Sequence, residues 1–157
     1  MAEPLPAAEV KHLWAELEQD GPQVGIVIGA ESEREVMEAT ATELQRRAIS
    51  FELTVLSAHG DPRAVAEYAT NAALRGLRVL IASGAGASAL AGVVAAYTEL
   101  PVIGVPIRTA DLGGLDSLLA TVQMPAGVPV GCMALNGARN AAIFAARILA
   151  QRPVVDL

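Results

Sequence analysis

Phe51-Glu52-Leu53-Thr54-Val55-Leu56-Ser57-Ala58-His59-Gly60-Asp61-Pro62 joins a short apolar run to a polar turn, and a helical pattern follows from about Arg63 to Leu74. The first six residues have strand length and β-rich composition, and Gly60-Asp61-Pro62 breaks them off. The same order recurs along the chain. Val24 to Ile28 runs into Gly29-Ala30-Glu31-Ser32-Glu33 and a helical pattern carrying Val36, Met37, Ala41 and Leu44. Val79 to Ala82 runs into Ser83-Gly84-Ala85-Gly86-Ala87-Ser88 and a helix toward Tyr97. Pro101 to Val105 predicts a fourth strand, Leu115 to Val122 a helix, Val128 to Leu135 an extended segment and Asn140 to Gln151 a closing Ala-rich helix. Short, continuous apolar strands alternating with helices describe an α/β domain whose parallel sheet is covered on both faces. Right-handed crossovers then bring every strand-to-helix loop to one sheet edge.

Upstream, Pro6 to Asp20 has helical spacing with Val10, Leu13, Trp14 and Leu17 on one face, and Gly21-Pro22 ends it. The expected organisation is a helical extension over 1–22 and one α/β domain over 23–157. Hydrophobic residues at 53% and charged residues at 18% exclude a disordered chain. Aromatic residues make up only 3%, so Ala, Val, Leu and Ile must build the core, and such a core favours further burial by self-association. A net charge of −6 argues against a broad nucleic-acid footprint. The single cysteine, Cys132, excludes an intramolecular disulfide framework and suits a reducing cytoplasm. Glu3 and Glu9 do not fit a signal peptide. Val79 to Tyr97 has no charged residue, yet its Gly/Ala/Ser centre suits a strand, loop and helix better than a membrane span.

The loops carry the chemistry. His59 follows a buried strand, where parallel sheets place their sites, and imidazole moves protons near neutral pH. A turn histidine bonded to backbone is the plainer reading; the position beside two other small-residue loops favours chemistry. In Gly29–Glu33, Ser32 either donates to a bound phosphate at the helix start or simply caps the helix. Glu31 and Glu33 disfavour an anion beside them, and one of them can accept from sugar hydroxyls instead. Gly84-Ala85-Gly86-Ala87 permits close approach of a ligand to backbone, although tight packing also selects such residues. No full dinucleotide fingerprint or P-loop lysine is present, and His59 has no partners at metal-ligand spacing, so neither a nucleotide cofactor nor a metal is expected. Cys132 reads as core filler.

Together with Leu115-Asp116-Ser117-Leu118-Leu119-Ala120-Thr121-Val122-Gln123-Met124-Pro125-Ala126-Gly127-Val128-Pro129-Val130-Gly131, these loops resemble the PurE family from about Val24 to Ala150. That family comprises N5-carboxyaminoimidazole ribonucleotide mutases and aminoimidazole ribonucleotide carboxylases of purine synthesis. The resemblance implies a three-layer α/β/α fold, flavodoxin/Rossmann-like, assembled into a homo-octamer with sites between subunits and no cofactor or metal. It implies a small-molecule substrate and CO2 as partners, a cytoplasmic location, and no nucleic acid or membrane. His59 matches the family's proton-handling histidine. Gly29, Ala30 and Ser32 match its phosphate loop, and Glu33 stands for an Asp that holds the ribose hydroxyls. Ser57 and Ala58 would line the pocket floor, while Gly84, Ala85 and Gly86 would shape the imidazole and CO2 site.

This sequence departs from the pattern at definite places. "GSxSD" is Gly29-Ala30-Glu31-Ser32-Glu33, which loses one hydroxyl and lengthens the acid. "SAHR" is Ser57-Ala58-His59-Gly60, which loses the phosphate-gripping arginine. In the third motif, Ala89 replaces a histidine beside Leu90, and Ala91 replaces a proline. A lost charge-assisted contact to phosphate typically costs about 1.5–3 kcal/mol. Arg63 and Arg108 are the candidate substitutes. Three functions stay open: the purine enzyme, a relative in specialised metabolism that carboxylates or decarboxylates a different small molecule with or without a phosphate, and a non-catalytic binding or assembly protein on the same scaffold.

Overall fold

Alternate side chains of a strand face opposite sides of a sheet, so a strand that is apolar throughout must be covered twice. In a computed structural model of the chain, which describes residues 21–151, this is the arrangement found. Strands β1 (Val24–Ile28), β2 (Phe51–Val55), β3 (Val79–Ala85), β4 (Val102–Ile107) and β5 (Gly131–Cys132) form one parallel sheet in the order β2-β1-β3-β4-β5. Between and after them come α1 (Arg34–Arg46), α2 (Pro62–Thr70), α3 (Leu90–Ala96), α4 (Leu115–Val122) and α5 (Ala138–Leu149). The helix expected over Pro6–Asp20 lies outside the described residues.

On one face Val24, Ile26, Ile28, Val79, Ile81, Ile103 and Val105 pack with Met37 and Leu44 of α1 and the alanines of α5. Thr40 donates its hydroxyl to the Ala138 carbonyl at 2.9 Å, tying these helices together. On the other face Val27, Leu80, Ala82 and Val102 meet Val65 and Ala69 of α2 and Leu90, Ala91 and Val94 of α3. Gly104 belongs to this second face, where an added Cβ would strike Thr121 of α4. The three-layer α/β/α reading therefore holds.

Several boundaries shift by a residue or two, and three differ for a clear reason. β3 continues past Ala82 because Ser83, Gly84 and Ala85 pair with Val105, Pro106 and Ile107, so part of the expected loop is ladder. The helix expected to reach Leu74 stops at Thr70 and gives way to a short 3-10 turn ending at Gly76, whose φ of +89° suits glycine. Only Gly131 and Cys132 of the extended segment pair with β4; Pro129, just upstream, has no N–H to offer a ladder.

Candidate active site

The chain leaves β1 toward β2 on one side and returns to β3 on the other. The C-terminal edge between β1 and β3 is thus the topological switch point, where open α/β sheets bind ligands. Since β2, β1 and β3 are adjacent and parallel, the loops bearing His59, Ser32 and Gly84-Ala85-Gly86 lie side by side along this edge.

The turn after β2 is tied by its own backbone. Ser57 Oγ accepts the Gly60 N–H at 3.0 Å, and the Ser57 carbonyl accepts the Asp61 N–H at 2.9 Å. Asp61 then caps α2, its Oδ1 accepting the Ala64 N–H at 3.0 Å, and Pro62 opens the helix. Ala58 packs against the core, whereas His59 and Gly60 are exposed. The imidazole therefore projects from a fixed turn.

The loop after β1 is arranged differently. Glu31, Ser32 and Glu33 form a 3-10 turn whose N-cap is Ala30, and Ser32 caps neither this turn nor α1. Ser32 is exposed. Glu31 forms a bidentate pair with Arg34, which holds the Glu31 carboxyl below its ordinary range. Glu33 turns inward instead and is 4% exposed. Its Oε2 accepts the Gly29 N–H at 3.0 Å and the Ser83 hydroxyl at 2.6 Å, while Oε1 accepts the Ala85 N–H at 3.2 Å. Beyond Ala85, the Gly86 N–H donates to Ser117 Oγ of α4 at 2.8 Å. Gly86 has a φ of +62°, a conformation that glycine adopts at little cost.

Other expected site residues fall out as follows. Leu90, at 2% exposed, packs in the core under α3, because the helix begins there with its apolar face already on the sheet. Ala89 faces a groove between α3 and α4, lined also by Gly92, Val93, Gln123 and Met124. Arg63 is exposed in the first turn of α2, close in sequence to His59. Arg108 follows β4, three strands from β2, or roughly 14 Å at the usual strand spacing. Its guanidinium contacts the Gly113 carbonyl at 3.4 Å. Sequence reasoning passed over Arg34, Ser83 and Ser117; the only signal for them was proximity to loop ends. Cys132 is partly buried, and desolvation pushes its thiol pKa up, as suits a packing residue. Among the described residues no three His, Cys, Asp or Glu side chains converge in a metal-binding group. No described helix is long and apolar enough to cross a membrane.

Residues 23–154 match the family model for AIR carboxylase. The chain belongs to the AIR carboxylase family. Within it, the chain is 52% identical over 128 residues to the N5-carboxyaminoimidazole ribonucleotide mutase of Thermotoga maritima, covering 82% of this chain and 75% of that protein. Against the mutase of Pyrococcus horikoshii it is 47% identical over 133 residues, or 85% and 75% of the two chains. It also matches the phosphoribosylaminoimidazole carboxylase of Candida albicans at 48% over 132 residues, 84% of this chain but 23% of that longer protein. Among solved structures, Treponema denticola PurE superposes with a TM-score of 0.74 at 26% identity, covering 82% of this chain and 80% of that one. The AIR carboxylase family fold and the loop order of this chain therefore agree.

Proposed function

We propose that this chain is a carboxyl-shifting enzyme of purine synthesis, acting as N5-carboxyaminoimidazole ribonucleotide mutase or as aminoimidazole ribonucleotide carboxylase, with His59 as the proton carrier. The observation that carries the reading is an exposed imidazole on a fixed turn at the sheet's C-terminal edge, in a chain of this family. In the mutase direction the N–C bond of the carbamate breaks, CO2 is released, and the amine takes up one proton. The electron-rich ring carbon then forms a C–C bond to that CO2. Its C–H proton passes to His59, which balances the proton taken by the amine. Proton transfer of this kind typically supplies about 10²–10⁴-fold. Holding CO2 beside the ring adds acceleration by proximity.

Arg63 is the cation we assign to the substrate phosphate in place of the arginine that Gly60 replaces, with Ser32 as a neutral donor. A specific observation favours the second reading, an unphosphorylated substrate: the β1 loop presents Glu31, its nearest cation Arg34 is already paired, and Gly60 offers none. We further assign a homo-oligomer, octameric by resemblance. Its support is the exposed apolar stripe Leu115, Leu119 and Val122 along α4, with exposed Leu112 in the loop before it and exposed Tyr97 in the neighbouring groove. A cytoplasmic setting agrees with the free thiol of Cys132.

The deciding experiment titrates the purified oligomer with aminoimidazole ribonucleotide and its 4-carboxylated product while following exchange of labelled CO2. Micromolar binding with exchange is the expected result. Arg63→Ala should then raise KM about 10–100-fold with kcat held, as loss of one charge-assisted contact requires. No binding by the folded oligomer would overturn the purine assignment and direct the search to unphosphorylated acids.

A further inference from the structure

We propose that Glu33 is a positioning residue: with Ser83 it forms a buried clasp across the β1/β3 crevice that fixes the β3–α3 loop, and its carboxylate does not hold the substrate. An ionised carboxylate offers about four acceptor positions, and here three are taken by donors of the protein itself. Two of these donors are backbone amides, from the end of β1 and the end of β3, and the third is the hydroxyl of Ser83, which is only 1% exposed. A charge so buried is tolerable only when its hydrogen bonds are made, and those made to an ionised group are the strong ones. The partners are matched in both directions. A Cβ on Gly29 would meet Glu33 Oε1 at 3.2 Å, so the clasp also favours glycine there.

The far side of the loop is held as firmly. The Gly86 N–H goes to Ser117, itself fully buried, and Ser88 Oγ lies 3.3 Å from Thr121 Oγ1. Successive amides of Ala85 and Gly86 are therefore consumed from opposite sides, by Glu33 and by α4. They form a rigid wall and are not free as an anion-binding pair. The crevice that this topology ordinarily opens to a ligand is bridged at its floor by the protein's own side chain, so the β3–α3 loop meets the β2 turn and His59 as a fixed wall. The catalytic consequence rests on the proposed carboxyl-shift reading; the clasp itself does not.

The test compares Glu33→Gln, Glu33→Asp, Ser83→Ala and the double variant Glu33→Asp/Ser83→Ala in the full chain. Steady-state kinetics use aminoimidazole ribonucleotide and bicarbonate, or the N5-carboxylated nucleotide. Amide hydrogen exchange at Ala85 and Gly86 supplies a readout that needs no activity. Gln is isosteric, but its NH2 must oppose either the Ala85 N–H or the pair of donors on Oε2. Asp is shorter by one methylene, roughly 1.5 Å. The expected result is that kcat falls tenfold or more in both Glu33 variants while KM stays within about threefold. Exchange at Ala85 should quicken at least tenfold, and Ser83→Ala should add little once Glu33 is gone, because two members of one unit are not additive. A tenfold rise in KM with kcat held and Ala85 protection unchanged would overturn the proposal, since Glu33 would then be gripping substrate. Ser83→Ala removes one hydroxyl and keeps the test alive if the Glu33 variants do not fold; unchanged Ala85 exchange in it would also count against the clasp. If the wild-type chain turns over neither nucleotide, the purine reading fails and the exchange data alone decide the clasp.

Discussion

The turn after β2 and the loop after β3 are neighbours on one sheet edge and are built on opposite terms. After β2, Ser57 and Asp61 spend their polar atoms on the turn's backbone, and His59 is left with its ring in solvent. After β3, almost nothing is left over: the amides of Ala85 and Gly86 are bonded to Glu33 and Ser117, and Gly84 packs against Ser88. One segment presents a reactive group and the other presents a surface. The proposed carboxyl shift needs both. The proposed proton carrier must meet solvent or substrate, and the wall must not move.

The comparison breaks most sharply at His59. His59→Asn should lower kcat by about 10²–10⁴-fold, with the melting temperature and oligomeric state unchanged, because the ring is exposed and no core contact depends on it. Undiminished turnover would remove the proton-carrier assignment. Gly84→Ala attacks the other side. Its Cβ would sit 2.2 Å from Ser88 Oγ and 3.2 Å from Ser88 Cα, and the backbone cannot step aside as a side chain can. Overpacking of this kind costs about 1–3 kcal/mol, which thermal unfolding would register. Gly60→Ala is the matched control. There the nearest atoms are Ser57 Cβ and Oγ at 3.3 Å, a slight squeeze, and alanine also stiffens the unfolded chain. The net change should stay within about 0.5 kcal/mol. If both glycines respond alike, the two loops are not the contrasting pair described here.

Much of this was legible in the residues. The alternation of apolar runs and helical patterns yields a parallel sheet covered on both faces, and the order of the loop motifs points to the family and to His59. What escaped was governed by pairing between distant segments. Nothing local to Ser83-Gly84-Ala85 says that these residues extend a strand; Pro106 and Ile107 on β4 decide it. Likewise, nothing local to Glu33 says that Ser83, fifty residues away, donates its hydroxyl to that carboxylate. Nor does the third motif say that Leu90, at the start of α3, packs in the core. The family motif locates a residue in the chain. Its burial and partners locate it in the chemistry.

Glu31 and Glu33, two residues apart, restate the contrast at its smallest scale. Glu33 is buried and bonded to three donors of the fold, whereas Glu31 stands in solvent against Arg34. The Arg34 hydrogen bond lowers the Glu31 pKa in the folded state. A depressed carboxyl pKa contributes stability above the unfolded value, near 4.3, and that contribution is lost as pH falls through the folded value. Any difference in melting temperature between wild type and Glu31→Gln should therefore be present at pH 7 and shrink toward pH 3. Its size should be close to nothing even at pH 7, since an exposed pair is screened by water and salt. A large loss at neutral pH would mean that the Glu31–Arg34 pair also holds the β1 loop, and the division between a braced crevice and a free rim would have to be redrawn one residue further out.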